Sequence, residues 1–136
     1  MGMSKKVLVV DDETHILQVV SLKLRNAGFE VVTATDGEEA LDVMATDRPD
    51  LLITDLQMPV MNGVELCCRM RDNPALRDVP AMMLTARGYS LEPEDMSRTG
   101  LRAVLSKPFS PRELLATVQE ILGPATDAVS ADAEVL

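Results

Sequence analysis

Asp11 and Asp12 follow the apolar run Val7-Leu8-Val9-Val10, and Asp55 follows Leu51-Leu52-Ile53-Thr54. Thr85 follows Met82-Met83-Leu84, and Lys107 follows Ala103-Val104-Leu105-Ser106. Each run has the length and composition of a short strand, so each polar residue falls where a strand should end. In an open α/β sheet, ligands bind in the crevice outside the carboxyl ends of parallel strands. The five side chains are therefore predicted to converge on one site. Three carboxylates, a hydroxyl and an ammonium in one pocket suit a cation, an anion and an acyl acceptor held together.

Positioning such a set requires regular alternation of strands and helices, and the chain has it. Lys5 to Val10 predicts a buried strand. Ile16, Leu17, Val20, Leu24 and Ala27 then share a helical face, and Gly28 supplies the stop. Glu30 to Ala34 predicts a second strand. Asp36 can cap the next helix, with Glu38 and Glu39 favouring the positive end of its dipole and Ala40, Leu41 and Met44 facing inward. A third strand covers Leu51 to Thr54. Asn62-Gly63 turns into a helix with Val64, Leu66, Cys67 and Met70 inward, and Asn73-Pro74 breaks it. Ala81 to Leu84 predicts the fourth strand. Residues 87–100 carry the weakest signal, and a short helix is expected from about Pro93 to Arg98, with Pro93 in its first turn. Ala103 to Ser106 predicts the fifth strand. Ser110-Pro111-Arg112-Glu113 has the pattern of a capping box, with Leu114, Leu115, Val118, Ile121 and Leu122 at helical spacing and Gly123-Pro124 as the stop. Five βα units argue for a parallel sheet covered by helices on both faces.

The length of 136 residues favours one domain, and 46% hydrophobic residues exclude a disordered composition. Residues 1–4 are expected to be an N-terminal extension with Met3 as the natural start, and residues 123–136 a tail or the start of a linker. The formal net charge of -9 and scattered Lys and Arg argue against direct nucleic-acid binding. No apolar stretch approaches the roughly 18 residues of a membrane span, and the N-terminus lacks the apolar core of a signal peptide. Cys67 and Cys68 are adjacent, about 100° apart on a helix, so free thiols are expected rather than a disulfide. His15 is expected to be exposed or half-exposed early in the first helix. Met44, Met70, Met82 and Met83 are expected to fill the core, and Met58 and Met61 to pack near their loop.

Taken together, Asp11-Asp12, the run Asp55-Leu56-Gln57-Met58-Pro59-Val60-Met61-Asn62-Gly63, Thr85-Ala86 and Lys107-Pro108-Phe109 resemble the receiver domain of two-component response regulators. The resemblance covers about residues 5–122. It implies a doubly wound, flavodoxin-like α/β fold: a five-stranded parallel sheet in the order 2-1-3-4-5 with five helices. It implies that Asp55 is a phosphoacceptor, with a phosphohistidine of a sensor histidine kinase or phosphotransfer protein, or a small acyl phosphate, as donor. Mg²⁺, with Mn²⁺ as an alternative, is implied at Asp12, Asp55 and the Gln57 backbone carbonyl, with Asp11 acting mostly through water. Lys107 would pair with the phosphoryl oxygens, and Thr85 would donate its hydroxyl to one and draw its loop inward. The peptide before Pro108 would be cis.

Electrostatics argue independently for the cation. Two carboxylates about 4 Å apart repel by roughly 4 kcal/mol at an effective dielectric near 20, so three crowded together should be steadied by a divalent ion.

The expected function is a cytoplasmic signalling switch, not an enzyme in the ordinary sense. Its partners would be the kinase and either a downstream protein or an effector domain. The resemblance also implies a monomer, or a weak dimer through the face of helix four, strand five and helix five. Two features set the chain apart. Val104 stands three residues before Lys107, where most receivers carry Tyr or Phe, and its small, stiff side chain cannot serve as the usual aromatic rotamer switch. Gln57 and Arg87, two residues past Asp55 and Thr85, occupy positions expected to tune the phosphoryl lifetime. Val104 slightly favours the alternative of a degenerate receiver that binds partners without phosphorylation. A phosphohydrolase would need an Asp where Gln57 stands, and a dinucleotide-binding fold would need a Gly-rich turn after the first strand.

Overall fold

A computed structural model describes residues 4–86 and 91–125. Five strands and five helices alternate: β1 (Lys6–Val10), α1 (Thr14–Asn26), β2 (Glu30–Ala34), α2 (Gly37–Thr46), β3 (Leu51–Asp55), α3 (Gly63–Asp72), β4 (Ala81–Thr85), α4 (Pro93–Thr99), β5 (Leu101–Ser106) and α5 (Pro111–Leu122). All strand pairs are parallel, and the sheet order is β2-β1-β3-β4-β5. This is the doubly wound, flavodoxin-like arrangement expected from the sequence.

Side chains of the central strands alternate between two cores. Leu8, Val10, Leu52, Ala81 and Met83 face one layer, where Ala40 and Met44 of α2 and Leu66, Cys67 and Met70 of α3 cover them. Val7, Val9, Leu51, Ile53, Met82 and Leu84 face the other, against Leu17, Val20 and Leu24 of α1 and Leu114 and Val118 of α5. Every residue of β3 and β4 is buried. Both faces of these strands are covered, which explains apolar runs without alternation. Met44, Met70, Met82 and Met83 lie in the core, and Met58 and Met61 are buried beside it. Cys67 is a buried free thiol pushed up to about 12 by burial, and Cys68 is free and half-buried.

Helix starts follow the local chemistry. The Asp36 carboxylate accepts the Glu39 N–H at 2.8 Å, and the Glu39 carboxylate accepts the Thr35 N–H at 2.6 Å. Asn62 accepts the Glu65 N–H at 2.8 Å, and Ser110 accepts the Glu113 N–H at 3.0 Å. These bonds satisfy donors that helix geometry would otherwise orphan.

Strand five differs from the expectation. It begins at Leu101 rather than Ala103, and its burial alternates because it lies at the sheet edge. The outward Arg102 interrupts the apolar run and conceals the early start. After α5, Ala125 packs into the second core, and its carbonyl accepts the Lys5 N–H at 2.7 Å.

Candidate functional site

Sheet pairing carries Asp11 to the mouth of the crevice. Its N–H donates to the Ala34 carbonyl of β2 at 3.2 Å, continuing the ladder one residue past β1. Its Oδ1 then accepts the Glu13 N–H at 2.9 Å, which turns the chain into α1. Asp11 is fully buried, whereas Asp12 at the bend is exposed.

Asp55 ends β3, with only 5% of its surface exposed. Two bonds hold the chain on either side. The Leu56 N–H reaches the Leu84 carbonyl at 2.8 Å, and the Gly63 N–H reaches the Leu56 carbonyl at 2.9 Å. Gly63 opens α3 directly against this turn. A Cβ there would lie 2.6 Å from the Asp55 carbonyl oxygen, so only glycine fits without moving that backbone. Next to β3, Thr85 ends β4, 1% exposed, and its hydroxyl has no hydrogen-bond partner among the described residues. The Lys107 N–H donates to the Thr85 carbonyl at 2.7 Å, bringing the loop after β5 to the same rim. The Lys107–Pro108 peptide is cis, as the family pattern implied.

The side chains converge. Ligand oxygens of Asp11, Asp12 and Asp55 all lie within 4.8 Å of one another. Lys107 Nζ sits 3.1 Å from Asp55 Oδ1 and 3.2 Å from Asp11 Oδ2. Burial, then the Asp11 charge, pushes the Asp55 carboxyl up to about 6, with Lys107 partly opposing the rise. Burial likewise raises Asp11. Lys107 behaves oppositely: burial disfavours its charge, but bonds to Glu13 and Asp55 and the nearby carboxylates hold it above its ordinary value. A carboxylate trio of hard oxygens fits a small divalent cation. The unpaired Thr85 hydroxyl and the Lys107 ammonium fit an anion beside it.

Asp12, Asp55, Gln57 and Lys107 line a cavity of about 750 Å³ together with apolar side chains that include Ile16, Val19 and Phe109. His15 is exposed and lines the same cavity. Arg87 falls outside the described residues. The sequence reading missed Glu13, whose carboxylate reaches Lys107 Nζ at 3.0 Å. Its place directly after the acidic pair, at a helix start, was the available signal.

Residues 7–119 match the family model of the response regulator receiver domain. The chain belongs to the receiver domain family of two-component response regulators, which are signalling domains rather than ordinary enzymes. It is 40% identical over 120 residues to the alkaline phosphatase synthesis transcriptional regulatory protein PhoP of Bacillus subtilis (strain 168), covering 88% of this chain and 49% of that protein. It therefore spans about half the length of the curated relatives it matches. Among solved structures, the chemotaxis response regulator CheY4 of Vibrio cholerae is 39% identical, with a TM-score of 0.81 over 88% of this chain and 99% of that one. The receiver domain of the sensor histidine kinase PA1611 from Pseudomonas aeruginosa PAO1 is 28% identical, with a TM-score of 0.78 over 89% and 99% of the two chains; it was solved with a magnesium ion coordinated in its active-site cleft. Among the described residues, no helix is long and apolar enough to cross a membrane.

Proposed function

We propose that this chain accepts a phosphoryl group on Asp55 from a histidine kinase or phosphotransfer protein, and that phosphorylation changes its affinity for a partner. The observation that carries this reading is the buried Asp55 carboxylate, 3.1 Å from the Lys107 ammonium, within a trio of acidic side chains. An oxygen of Asp55 would bond to phosphorus as the bond from phosphorus to the donor imidazole breaks, its electron pair returning to that nitrogen. Mg²⁺ or Mn²⁺, held by Asp12, Asp55 and the Gln57 carbonyl with Asp11 acting through water, would neutralise the phosphoryl charge. Magnesium in the PA1611 receiver, which shares this fold, supports that assignment.

Lys107 stabilises the transferred group as a point charge, and Thr85 donates its otherwise unpaired hydroxyl to a phosphoryl oxygen. That new bond pulls on the end of β4. Because the Thr85 carbonyl holds the Lys107 N–H, the pull reaches the end of β5 through backbone, without an aromatic side chain at position 104. Phosphorylation would then select one of two conformations with different partner affinities. Residues 5–122 are the proposed receiver unit, acting in the cytoplasm.

Intact mass after incubation with acetyl phosphate and Mg²⁺ tests the reading. One added phosphoryl group, absent from Asp55→Asn and absent in EDTA, is the expected result. No gain in the wild-type chain under rapid quenching would overturn it.

A further inference from the structure

Lys107 is crowded by carboxylates. Its ammonium, with three N–H donors, donates to Glu13 Oε1 at 3.0 Å and to Asp11 Oδ2 at 3.2 Å, and Asp55 Oδ1 lies 3.1 Å away in ionic contact. A phosphoryl oxygen arriving at Asp55 therefore competes with these carboxylates for the ammonium.

The three differ in how easily they can release it. Asp11 is fully buried, and its second oxygen is held by the Glu13 N–H. The Asp55 side chain is 7% exposed and is itself the proposed acceptor. The Glu13 side chain is 60% exposed and ends a flexible stem at the cavity mouth. Glu13 also caps α1 with its backbone alone: its carbonyl accepts the Leu17 N–H at 3.2 Å, and its side chain makes no capping bond. The carboxylate is thus free of any helix-starting duty.

We infer that Glu13 is a positioning residue that gates Lys107: its carboxylate holds one ammonium donor at the rim and competes with a phosphoryl oxygen for the lysine. This rests on the proposed phosphorylation of Asp55. It makes Glu13 a brake on phosphoryl transfer, acting through the lysine and touching neither the cation nor the phosphorus. An exposed ion pair changes an equilibrium by up to about five-fold, so removing it should release the brake by a factor of that order.

The test follows Asp55 labelling over time by intact mass, with acetyl phosphate and Mg²⁺, in the wild-type chain and in Glu13→Gln, Glu13→Asp and Lys107→Ala, each checked for native fold by circular dichroism. Glu13→Gln should label about two- to five-fold faster than wild type. Glu13→Asp, which keeps the charge but shortens the reach, should also label faster. The gain from Glu13→Gln should vanish on the Lys107→Ala background, a coupling that a merely structural role of Glu13 would not produce. Equal rates for wild type and Glu13→Gln, or the same gain with and without Lys107, would overturn the gate while leaving phosphorylation of Asp55 intact. An unlabelled wild-type chain would remove both.

Discussion

Burial and the neighbouring Asp11 charge hold the Asp55 carboxyl at about 6, against an ordinary value of 3.8. A raised carboxyl binds its proton more tightly in the folded state than in the unfolded one. The stability it contributes is present in full below about pH 3.8 and is lost as pH rises through about 6. Without divalent cations, ionised Asp55 therefore weakens the fold at neutral pH. Asp55→Asn should raise metal-free stability at pH 7.5 by on the order of 1–3 kcal/mol. The difference between mutant and wild type should shrink towards pH 4, as read by urea unfolding across that range. A mutant no more stable than wild type at pH 7.5 would contradict this account. At this scale the sequence was legible because chemistry repeated at strand ends: Asp11, Asp12, Asp55, Thr85 and Lys107 each follow an apolar run. Glu13 was not, since a single acidic residue at a helix start also suits the helix dipole.

Between residues and the whole lies the joint at which β3 hands the chain to α3. Gly63 supports the Asp55 carbonyl from beneath, and a Cβ there has no room. Gly63→Ala should displace the Asp55 backbone, destabilise the chain by about 1–3 kcal/mol and slow Asp55 labelling. Thermal unfolding and intact mass read the two effects, and unchanged labelling would show that Asp55 tolerates the shift. The same scale shows why some elements were easy to locate and others were not. β1, β3 and β4 announce themselves because both their faces are covered, leaving unbroken apolar runs. β5 has one sheet neighbour, so its outward Arg102 and exposed Val104 break the pattern that marks a strand. α4 spans only seven residues, with Thr99 its one fully buried side chain, and no periodicity can develop over so short a stretch.

For the molecule as a whole, the acidic trio would couple folding to ions through the proposed cation. A divalent cation that binds only the folded state stabilises it by about 2.7 kcal/mol at one hundred times its dissociation constant. Mg²⁺ should accordingly raise the melting temperature at pH 7.5, and the shift should fade below about pH 6, where Asp55 takes up a proton instead. A melting temperature indifferent to Mg²⁺ would remove the cation from the site. The parallel sheet was readable from five alternating βα units. The close of the domain was not, because Gly123-Pro124 ends α5 yet Ala125 still packs into the core.

That last contact fixes a polarity. The Ala125 carbonyl is tied to Lys5, just before β1 begins, whereas Asp11 lies just beyond its far end. Five strand residues at ~3.3 Å each separate these poles by about 15–20 Å. Ala125 thus lies at the antipode of Asp55. A partner docked beside Ala125 would be separated from Asp55 by the full length of the strands, and would sense a phosphoryl group there only by leaning on a flank of the molecule.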